Sequence, residues 1–369
     1  MTRLYLATGD ALAVVTRRNG TWQADVTLQA QPTQCVATDP RRPEVVYCGT
    51  FGRGLLRSGD GGLSWQRVGA GIAHGEVMAV APSRAEPGVL WAGTEPSALF
   101  RSEDGGATWQ ERPSLREIPS APTWSFPPRP WTHHVRWIEP DPAVADRLFV
   151  AIELGGVMKS EDGGRTWQDR KPGAKLDAHT LRAHPLAPGR LCEAAGDGYA
   201  ETGDGGTTWR PLDGGLGWTY LWGMALDAAD PDTVVLSASP GPRHAHDADW
   251  GDRSWDEQHR AGRRAAPPGM HAGPPPWAGY GWRGPEAWLY RRTGEQPWQA
   301  VTEGLPEARG TLAYVLAADE SEPHVLYASP WSDAIYRSPD GGRTWERLGV
   351  AWPAGYRARR VNALAVAPA

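Results

Sequence analysis

Histidine, arginine and carboxylate side chains recur at corresponding places in the middle of this 369-residue chain. The run His133–Arg136 (HHVR) begins one apolar segment, and His179 and Arg182 lie in the next. Glu153 follows the apolar segment between them. A carboxylate beside imidazoles can perform general acid–base chemistry. We therefore take Glu153, His134 and His179 as candidate catalytic residues.

Other polar and aromatic residues are candidates for ligand binding, because guanidinium groups suit anionic substituents and indole rings suit sugars. They are Arg53, Glu95, Trp131, His133, Arg136, Arg182, Asp197 and Trp331. In an extended strand, alternation sends His134 and Arg136 to one side and His133 to the other. A glycosidase would also need two carboxylates. Glu153, Glu95 and Asp197 are candidates for that pair, and the sequence leaves the choice open. The competing interpretation is that these side chains only hydrogen-bond across strands and fill a channel.

Metal binding is a further interpretation of the histidines. Three imidazoles with an open coordination position would suit a catalytic divalent metal. The available histidines are His133, His134, His179, His184, His244 and His246. A compact ligand motif such as H-E-x-x-H does not occur in the sequence. We therefore predict no metal and no cofactor, and keep a metal-dependent enzyme as a second alternative.

A repeated octapeptide, S-x-D-G-G-x-T-W, defines the elements that must position these residues. Five copies begin at Ser58, Ser102, Ser160, Thr202 and Ser338. The aspartate can accept hydrogen bonds from turn amides, and Gly-Gly adopts positive φ without a Cβ penalty. The tryptophan then opens the next strand and covers the hairpin. With two worn copies, the marker residues are Trp22, Trp65, Trp109, Trp167, Trp209, Trp298 and Trp345. Seven markers at roughly 40–45-residue spacing predict seven four-stranded propeller blades.

The octapeptide resembles the Asp box, or BNR repeat, of sialidase-like β-propellers. The resemblance implies an all-β, seven-bladed propeller in a superfamily that includes glycosidases, receptors and assembly factors. A typical sialidase is not expected. The early Arg-Ile-Pro motif of that family is replaced by Arg3-Leu4-Tyr5, and sialidases normally have six blades.

The ends of the chain predict ring closure within a single domain, residues 1–369. Val361–Pro368 matches the first strand of other repeats and should complete blade one, which removes open sheet edges. The predicted blades span approximately residues 1–30 with 360–369, 33–69, 75–112, 133–170, 178–212, 219–301 and 311–349. The gap from Trp209 to Trp298 would fit an eighth blade, but 240–285 contains no alternating apolar run. We therefore read 113–132 and 240–285 as insertions on the channel-mouth face, opposite the Asp boxes.

Composition restricts the partners and the compartment. A formal net charge of −5 gives no electrostatic case for nucleic acid or an anionic membrane. The sequence has no apolar run long enough to span a bilayer and no apolar N-terminal leader. Three cysteines lack metal-ligand spacing and are predicted to be free thiols. We expect a cytoplasmic monomer.

The sequence predicts a propeller that binds a small polar ligand, anionic or sugar-like, at the channel mouth. Its expected activity, if it is an enzyme, is that of a glycosidase-like hydrolase. The alternative is a non-enzymatic propeller that binds a protein partner, since the seven-bladed photosystem assembly factors are similar in repeat type. In that case 113–132 and 240–285 would be docking surfaces or partly disordered flaps.

Overall fold

The structure, a computed structural model, describes residues 2–126, 132–246 and 284–368. These residues form seven sheets, antiparallel except for one short parallel pair in blade one, with one short helix, α1 (Pro242–His246), and two 3₁₀ turns, Pro113–Glu117 and Ala121–Thr123. Blade one contains β1 (Thr2–Ala7), β2 (Leu12–Arg18) and β3 (Thr21–Thr27), and blade two contains β4 (Thr33–Asp39), β5 (Arg42–Thr50), β6 (Leu55–Ser58) and β7 (Gln66–Val68). Blade three contains β8 (Val77–Pro82), β9 (Leu90–Thr94), β10 (Leu99–Ser102) and β11 (Gln110–Glu111). Blade four contains β12 (Val135–Pro140), β13 (Leu148–Ile152) and β14 (Gly156–Ser160).

Blades five to seven continue the series around the ring. Blade five contains β15 (Ala178–Ala183), β16 (Leu191–Ala195), β17 (Gly198–Thr202) and β18 (Arg210–Pro211). Blade six contains β19 (Tyr220–Asp227), β20 (Asp230–Ser239), β21 (Trp288–Thr293) and β22 (Gln299–Val301). Blade seven contains β23 (Tyr314–Ala318), β24 (Leu326–Pro330), β25 (Tyr336–Ser338) and β26 (Glu346–Arg347). Two strands follow, β27 (Val350–Ala351) and β28 (Ala363–Pro368), and both join blade one. In blade four, a single bridge between Lys159 and Gln168 stands where the other blades have a fourth strand.

Ring closure is made by the C-terminal strand. β28 pairs antiparallel with β1 from Thr2 opposite Pro368 to Ala7 opposite Ala363. The innermost strands β28, β4, β8, β12, β15, β19 and β23 contact one another in a closed ring. The predicted seven-bladed all-β propeller, closed by the C-terminal strand in blade one, is therefore confirmed.

The repeated octapeptide forms the hairpin between the third and fourth strands. In blade two, the Asp60 carboxylate accepts hydrogen bonds from the amides of Leu63 and Ser64 at 3.0 and 2.9 Å. Gly62 has a φ of 91°, which favours glycine, and its carbonyl accepts the Trp65 indole N–H at 3.2 Å. In an antiparallel blade this hairpin lies at the opposite end from the loop between the second and third strands. The octapeptides and those loops therefore occupy opposite faces of the disc.

The stretch after blade three is packed into the core. Leu115 and Trp124 are fully buried among residues of blades three and four, including Leu99 and Val135. The hypothesis of a disordered flap is therefore wrong for residues 113–126, whereas the docking-surface hypothesis stays a prediction, because residues such as Arg116 and Glu117 are exposed. Residues 127–131 and most of the second insertion, 247–283, lie outside the described residues.

The three cysteines are free thiols, as predicted, and Cys48 and Cys192 are buried. Cys48 lies opposite Val36 in the β4–β5 register rather than opposite Cys35. Across the described ranges, the structure contains no helix that is long and apolar enough to cross a membrane.

Candidate functional site

The three candidate catalytic side chains lie together at one end of the channel. His134 immediately precedes β12, Glu153 immediately follows β13, and His179 is the second residue of β15. The Nε2 atom of His134 lies 2.9 Å from Oε2 of Glu153, and Nε2 of His179 lies 3.8 Å from Oε1 of Glu153. Blades four and five thus present two imidazoles to the two oxygens of one carboxylate.

A β-bulge near the start of the innermost strand positions part of this cluster. Arg136 is the extra residue where the β12–β13 register shifts between Val135 and Trp137. His179 is the extra residue of the corresponding shift in β15. A bulge bends its strand and re-aims a side chain. β19 has a bulge at Trp222 and Gly223, and the guanidinium of Arg136 and the ring of His179 both contact the Trp222 indole, at 4.3 and 4.7 Å. The bulge residues of three successive blades therefore meet at the channel mouth.

Five side chains form a chain in which carboxylates and imidazoles alternate. The order is Glu95, His134, Glu153, His179 and Asp177, and the successive closest distances are 3.6, 2.9, 3.8 and 3.5 Å. All five are buried, and the His179 side chain is fully buried. Arg136 adds a guanidinium, with its Nε atom 3.8 Å from Oε2 of Glu153. We name these five residues the acid–imidazole chain.

The surroundings shift the pKa values of three residues of the acid–imidazole chain, Glu153, Asp177 and His179, away from their ordinary values. Burial alone would raise the pKa of Glu153, but His134, His179 and Arg136 together bring it well below its ordinary value. Burial raises the pKa of Asp177, and the opposing effect of His179 is smaller, so the pKa of Asp177 is raised overall. Burial would lower the pKa of His179, but Asp177 and Glu153 outweigh that effect and raise it. Glu153 is therefore ionised, while positive charge is favoured at His179.

Aromatic residues from blade six, its insertion and blade seven form one wall of the site. The Tyr220 hydroxyl lies 2.9 Å from Nε2 of His246, in α1. The His246 ring lies 4.0 Å from Trp222 and 4.7 Å from Trp331, and the guanidinium of Arg360 lies 4.2 Å over Trp331. We name Tyr220, Trp222, His246 and Trp331 the aromatic wall.

The described ends of both irregular stretches contact this site. The ring of Phe126, at the end of the first stretch, lies 4.9 Å from the His134 ring. His246, near the start of the second, contacts the aromatic wall as described above. Both stretches therefore contribute side chains to one cluster.

Four of the predicted ligand-binding residues lie outside the cluster, namely His133, Arg182, Arg53 and Asp197. His133 points the other way, as strand alternation predicts, and its ring lies 5.5 Å from Trp124. Burial and neighbouring His134 lower the pKa of His133 to about 4, so its ring is neutral at pH 7. Arg182 lies over Trp137 and pairs with Glu139 at 3.9 Å. Arg53 is exposed in the loop between β5 and β6, and no ion pair joins it to the cluster within the described ranges. The prediction that Arg53 and Arg182 share this site is therefore not supported by the geometry.

Asp197 has a supporting position rather than a place in the cluster. Its carboxylate accepts hydrogen bonds from the amides of Leu176 and Asp177, both at 3.2 Å. These hydrogen bonds fix the backbone at Asp177. The Asp177 carboxylate, and not that of Asp197, lies beside His179 and Glu153. Asp197 was a candidate for the second carboxylate, and Asp177 was not. Trp131 lies outside the described residues.

Three residues of the site were missing from the predicted candidates: Asp177, Tyr220 and Trp222. His246 was considered only as a metal ligand. One sequence signal could have found Trp222. It occupies the repeat position that holds Arg136 in blade four and His179 in blade five, so superposing the repeats would have selected all three together. Asp177 and His246 lie in irregular segments, and periodicity gives no signal for them.

Comparisons with known proteins identify the fold and leave the activity open. No protein-family model and no curated protein sequence matches this chain. An ancestral GH74 enzyme has a similar structure, with a TM-score of 0.61 and 16% identity over 88% of this chain and 39% of that one. The GH74 xyloglucanase from Xanthomonas campestris gives 0.58 and 17%, over 85% of this chain and 45% of the enzyme. YCF48 bound to D1 peptide gives 0.53 and 15%, over 85% and 81%. This chain therefore spans less than half of either GH74 enzyme, and at these identities the likeness shows the fold alone.

Proposed function

We propose that this protein binds a small polar, carbohydrate-like ligand at the channel mouth and hydrolyses it. The observation that carries the proposal is the acid–imidazole chain, since it places an ionised carboxylate between two imidazoles in a buried setting. Low local dielectric strengthens such interactions. The GH74 enzymes support the proposal only in that a fold of this kind hosts glycosidases.

His134 is the proposed general base. Glu153 is ionised and accepts a hydrogen bond from Nε2–H of His134, which leaves the lone pair on Nδ1. Among the described residues, that Nδ1 atom is buried and has no hydrogen-bond partner. A carboxylate that orients an imidazole in this way favours one tautomer and stabilises the imidazolium formed when the base takes a proton.

Arg136 supplies positive charge beside Glu153, with its Nε atom 3.8 Å from Oε2. Charge of this sign stabilises negative charge that develops on a ligand oxygen during hydrolysis. The aromatic wall contains the indole N–H groups of Trp222 and Trp331. Both N–H groups are buried and lack a hydrogen-bond partner among the described residues. Since an indole N–H only donates, these groups suit ligand hydroxyl or carboxylate oxygens.

Turnover and binding should be measured separately for Glu153→Gln and His134→Ala, with a panel of 4-nitrophenyl glycosides and glucuronides as probes. Loss of a general base typically costs 10²–10⁴-fold in rate, so we expect turnover to fall by about that factor while affinity changes by a few-fold only. The matched control is Glu139→Gln, which removes a partly buried carboxylate of the same innermost strand away from the cluster. Equal activity in the wild type and in both site variants would overturn the proposed roles.

A protein-binding propeller remains the second candidate function. It is favoured by one observation: this chain aligns with 81% of YCF48 but with only 39% and 45% of the two GH74 enzymes. If no glycoside of the panel is bound or hydrolysed, and extended peptides are bound instead, this second candidate replaces the hydrolase.

A further inference from the structure

We propose that Glu153, Asp177 and His179 bind a divalent metal cation, which is the electrophile of the proposed hydrolysis. Its catalytic role rests on the proposed function, whereas the binding site itself stands independently. Of the histidines considered from the sequence, this ligand set retains only His179.

The spacing of the three side chains is that of ligands rather than of hydrogen-bonded partners. His179 Nε2 lies 3.5 Å from Oδ1 of Asp177 and 3.8 Å from Oε1 of Glu153, and one ligand atom from each residue lies within 4.8 Å of the others. Charge-assisted hydrogen bonds would be about 2.7–2.9 Å long. Two ligands held about 2.0–2.2 Å from one ion at a tetrahedral angle lie about 3.4 Å apart. The separations of His179 Nε2 from the two carboxylates, 3.5 and 3.8 Å, are closer to the second value.

The His179 tautomer is fixed for metal binding. Its Nδ1 atom lies 2.5 Å from the carbonyl oxygen of Leu221, and a carbonyl can only accept, so Nδ1 carries the proton. In the neutral ring the Nε2 lone pair then faces the two carboxylates. Metal-ligating histidines usually donate their other ring N–H to a carbonyl or carboxylate in this way. Within the described residues, His179 Nε2 and Asp177 Oδ1 are both buried and have no hydrogen-bond partner.

Surrounding groups hold each carboxylate in place. His134 contacts Oε2 of Glu153, so that the other carboxylate oxygen, Oε1, lies towards His179. The Gly196 amide donates to the Asp177 carbonyl at 2.8 Å, and a Cβ atom at Gly196 would lie only 1.9 Å from Oδ2 of Asp177. The absence of a side chain at Gly196 therefore makes the room in which the Asp177 carboxylate lies.

The donor set indicates the class of ion. Two carboxylate oxygens and one imidazole nitrogen, without a thiolate, suit first-row divalent ions such as Zn²⁺ or Mn²⁺ better than Ca²⁺ or Mg²⁺, which take oxygen ligands. Two carboxylates match the charge of the ion. Three protein ligands leave a position for a water molecule, as in catalytic sites, and a bound Zn²⁺ lowers the pKa of that water.

The test is metal binding by the full-length protein after EDTA treatment and dialysis. Zn²⁺ and Mn²⁺ are titrated separately by calorimetry, and elemental analysis gives the stoichiometry. We expect one ion per chain at this site, and at least about 100-fold weaker binding in Asp177→Asn. Gly196→Ala should weaken binding by at least about 10-fold, because it displaces the Asp177 carboxylate without removing a ligand. The control is His324→Ala, which removes a partly exposed imidazole outside the cluster.

Circular dichroism and urea unfolding show whether each variant is folded, and Co²⁺ absorption reports the ligand set without any substrate. Failure of the folded wild type to bind Zn²⁺ or Mn²⁺ stoichiometrically would overturn the inference, as would wild-type affinity in both Asp177→Asn and Gly196→Ala. Stoichiometric binding without glycoside hydrolysis would retain the metal site and reject the proposed hydrolase. Full hydrolysis by metal-free protein would retain the proposed hydrolase and reject the catalytic role of the metal.

Discussion

Glu193→Gln is expected to stabilise the folded protein at neutral pH and to have little effect near pH 4. Glu193 lies in the middle of β16 and is fully buried. One carboxylate oxygen accepts the Lys175 amide at 2.9 Å, and the other has no hydrogen-bond partner among the described residues. Burial raises the pKa of Glu193 well above its ordinary value, and the neighbouring charge of Asp197 adds to that effect. Glutamine keeps the acceptor for Lys175 and cannot ionise.

The size of the effect follows from proton linkage. In the unfolded chain Glu193 titrates at about pH 4.3, whereas the folded protein holds the proton to a higher pH. Below about pH 4.3 Glu193 is protonated in both states, and the folded protein keeps its full stability. As pH rises through the folded pKa, the free energy of unfolding falls, because the unfolded chain ionises Glu193 more easily. The loss has a limiting slope of about 1.36 kcal/mol per pH unit. The stability difference between Glu193→Gln and the wild type should therefore grow with pH at up to that slope.

Urea unfolding followed by tryptophan fluorescence at pH 4, 5, 6 and 7 measures this difference. The matched control is Glu201→Gln. Glu201 is partly buried and pairs with Arg190 at 2.9 Å, and despite the opposing effect of burial the pKa of Glu201 is lowered. Its contribution is present above about pH 4.3 and lost in acid, so this control should be less stable than the wild type at pH 7 and converge with it in acid. Parallel stability–pH curves for the wild type and Glu193→Gln would refute the reasoning.

Three further predictions concern the fold. Trp124→Ala should cost about 3–5 kcal/mol in urea unfolding because Trp124 is fully buried between blades three and four, whereas Leu63→Ala, at a site that is 76% exposed, should cost less than about 0.5 kcal/mol. Deleting 361–369 removes β28 and leaves the edge of β1 unpaired. We therefore expect the cooperative unfolding transition to be lost and the chains to associate, which light scattering would detect. A monomer that unfolds cooperatively would contradict this prediction. Hydrogen bonds from Thr108 lower the pKa of Asp104 to about 2, so Asp104→Asn should be less stable than the wild type at pH 7 and converge with it between about pH 4 and pH 2, as acid-unfolding curves will show.

The fold could be predicted because its determinants are local. Each octapeptide forms its turn from its own residues, as Asp60 does with the amides of Leu63 and Ser64. Recurrence of the motif then gives the number of blades. Closure also follows from local pattern, because β28 has the apolar alternation of an innermost strand.

The site could be predicted only in part, because its geometry depends on departures from regular structure. Strand alternation placed His133 correctly. The bulge at His179 does not show in the sequence, and Arg182, three residues later, lies against Trp137 and Glu139 instead of in the cluster. Asp177 depends on non-local support from Asp197 and Gly196, which a pattern of residues along one strand does not predict.

The bulges explain how a symmetric fold carries an asymmetric site. The register shifts near the start of five innermost strands, β4, β8, β12, β15 and β19, so each of these blades inserts extra residues at the same end of the channel. The residues that these shifts select are Gln34, Met78, Arg136, His179 and Trp222. The last three bring a guanidinium, an imidazole and an indole together, since Arg136 and His179 both contact the Trp222 ring. The octapeptides that form the hairpins lie between the third and fourth strands of the blades, on the opposite face of the disc. Substitutions at the bulges can therefore alter the chemistry of the mouth without disturbing the turns that define the blades.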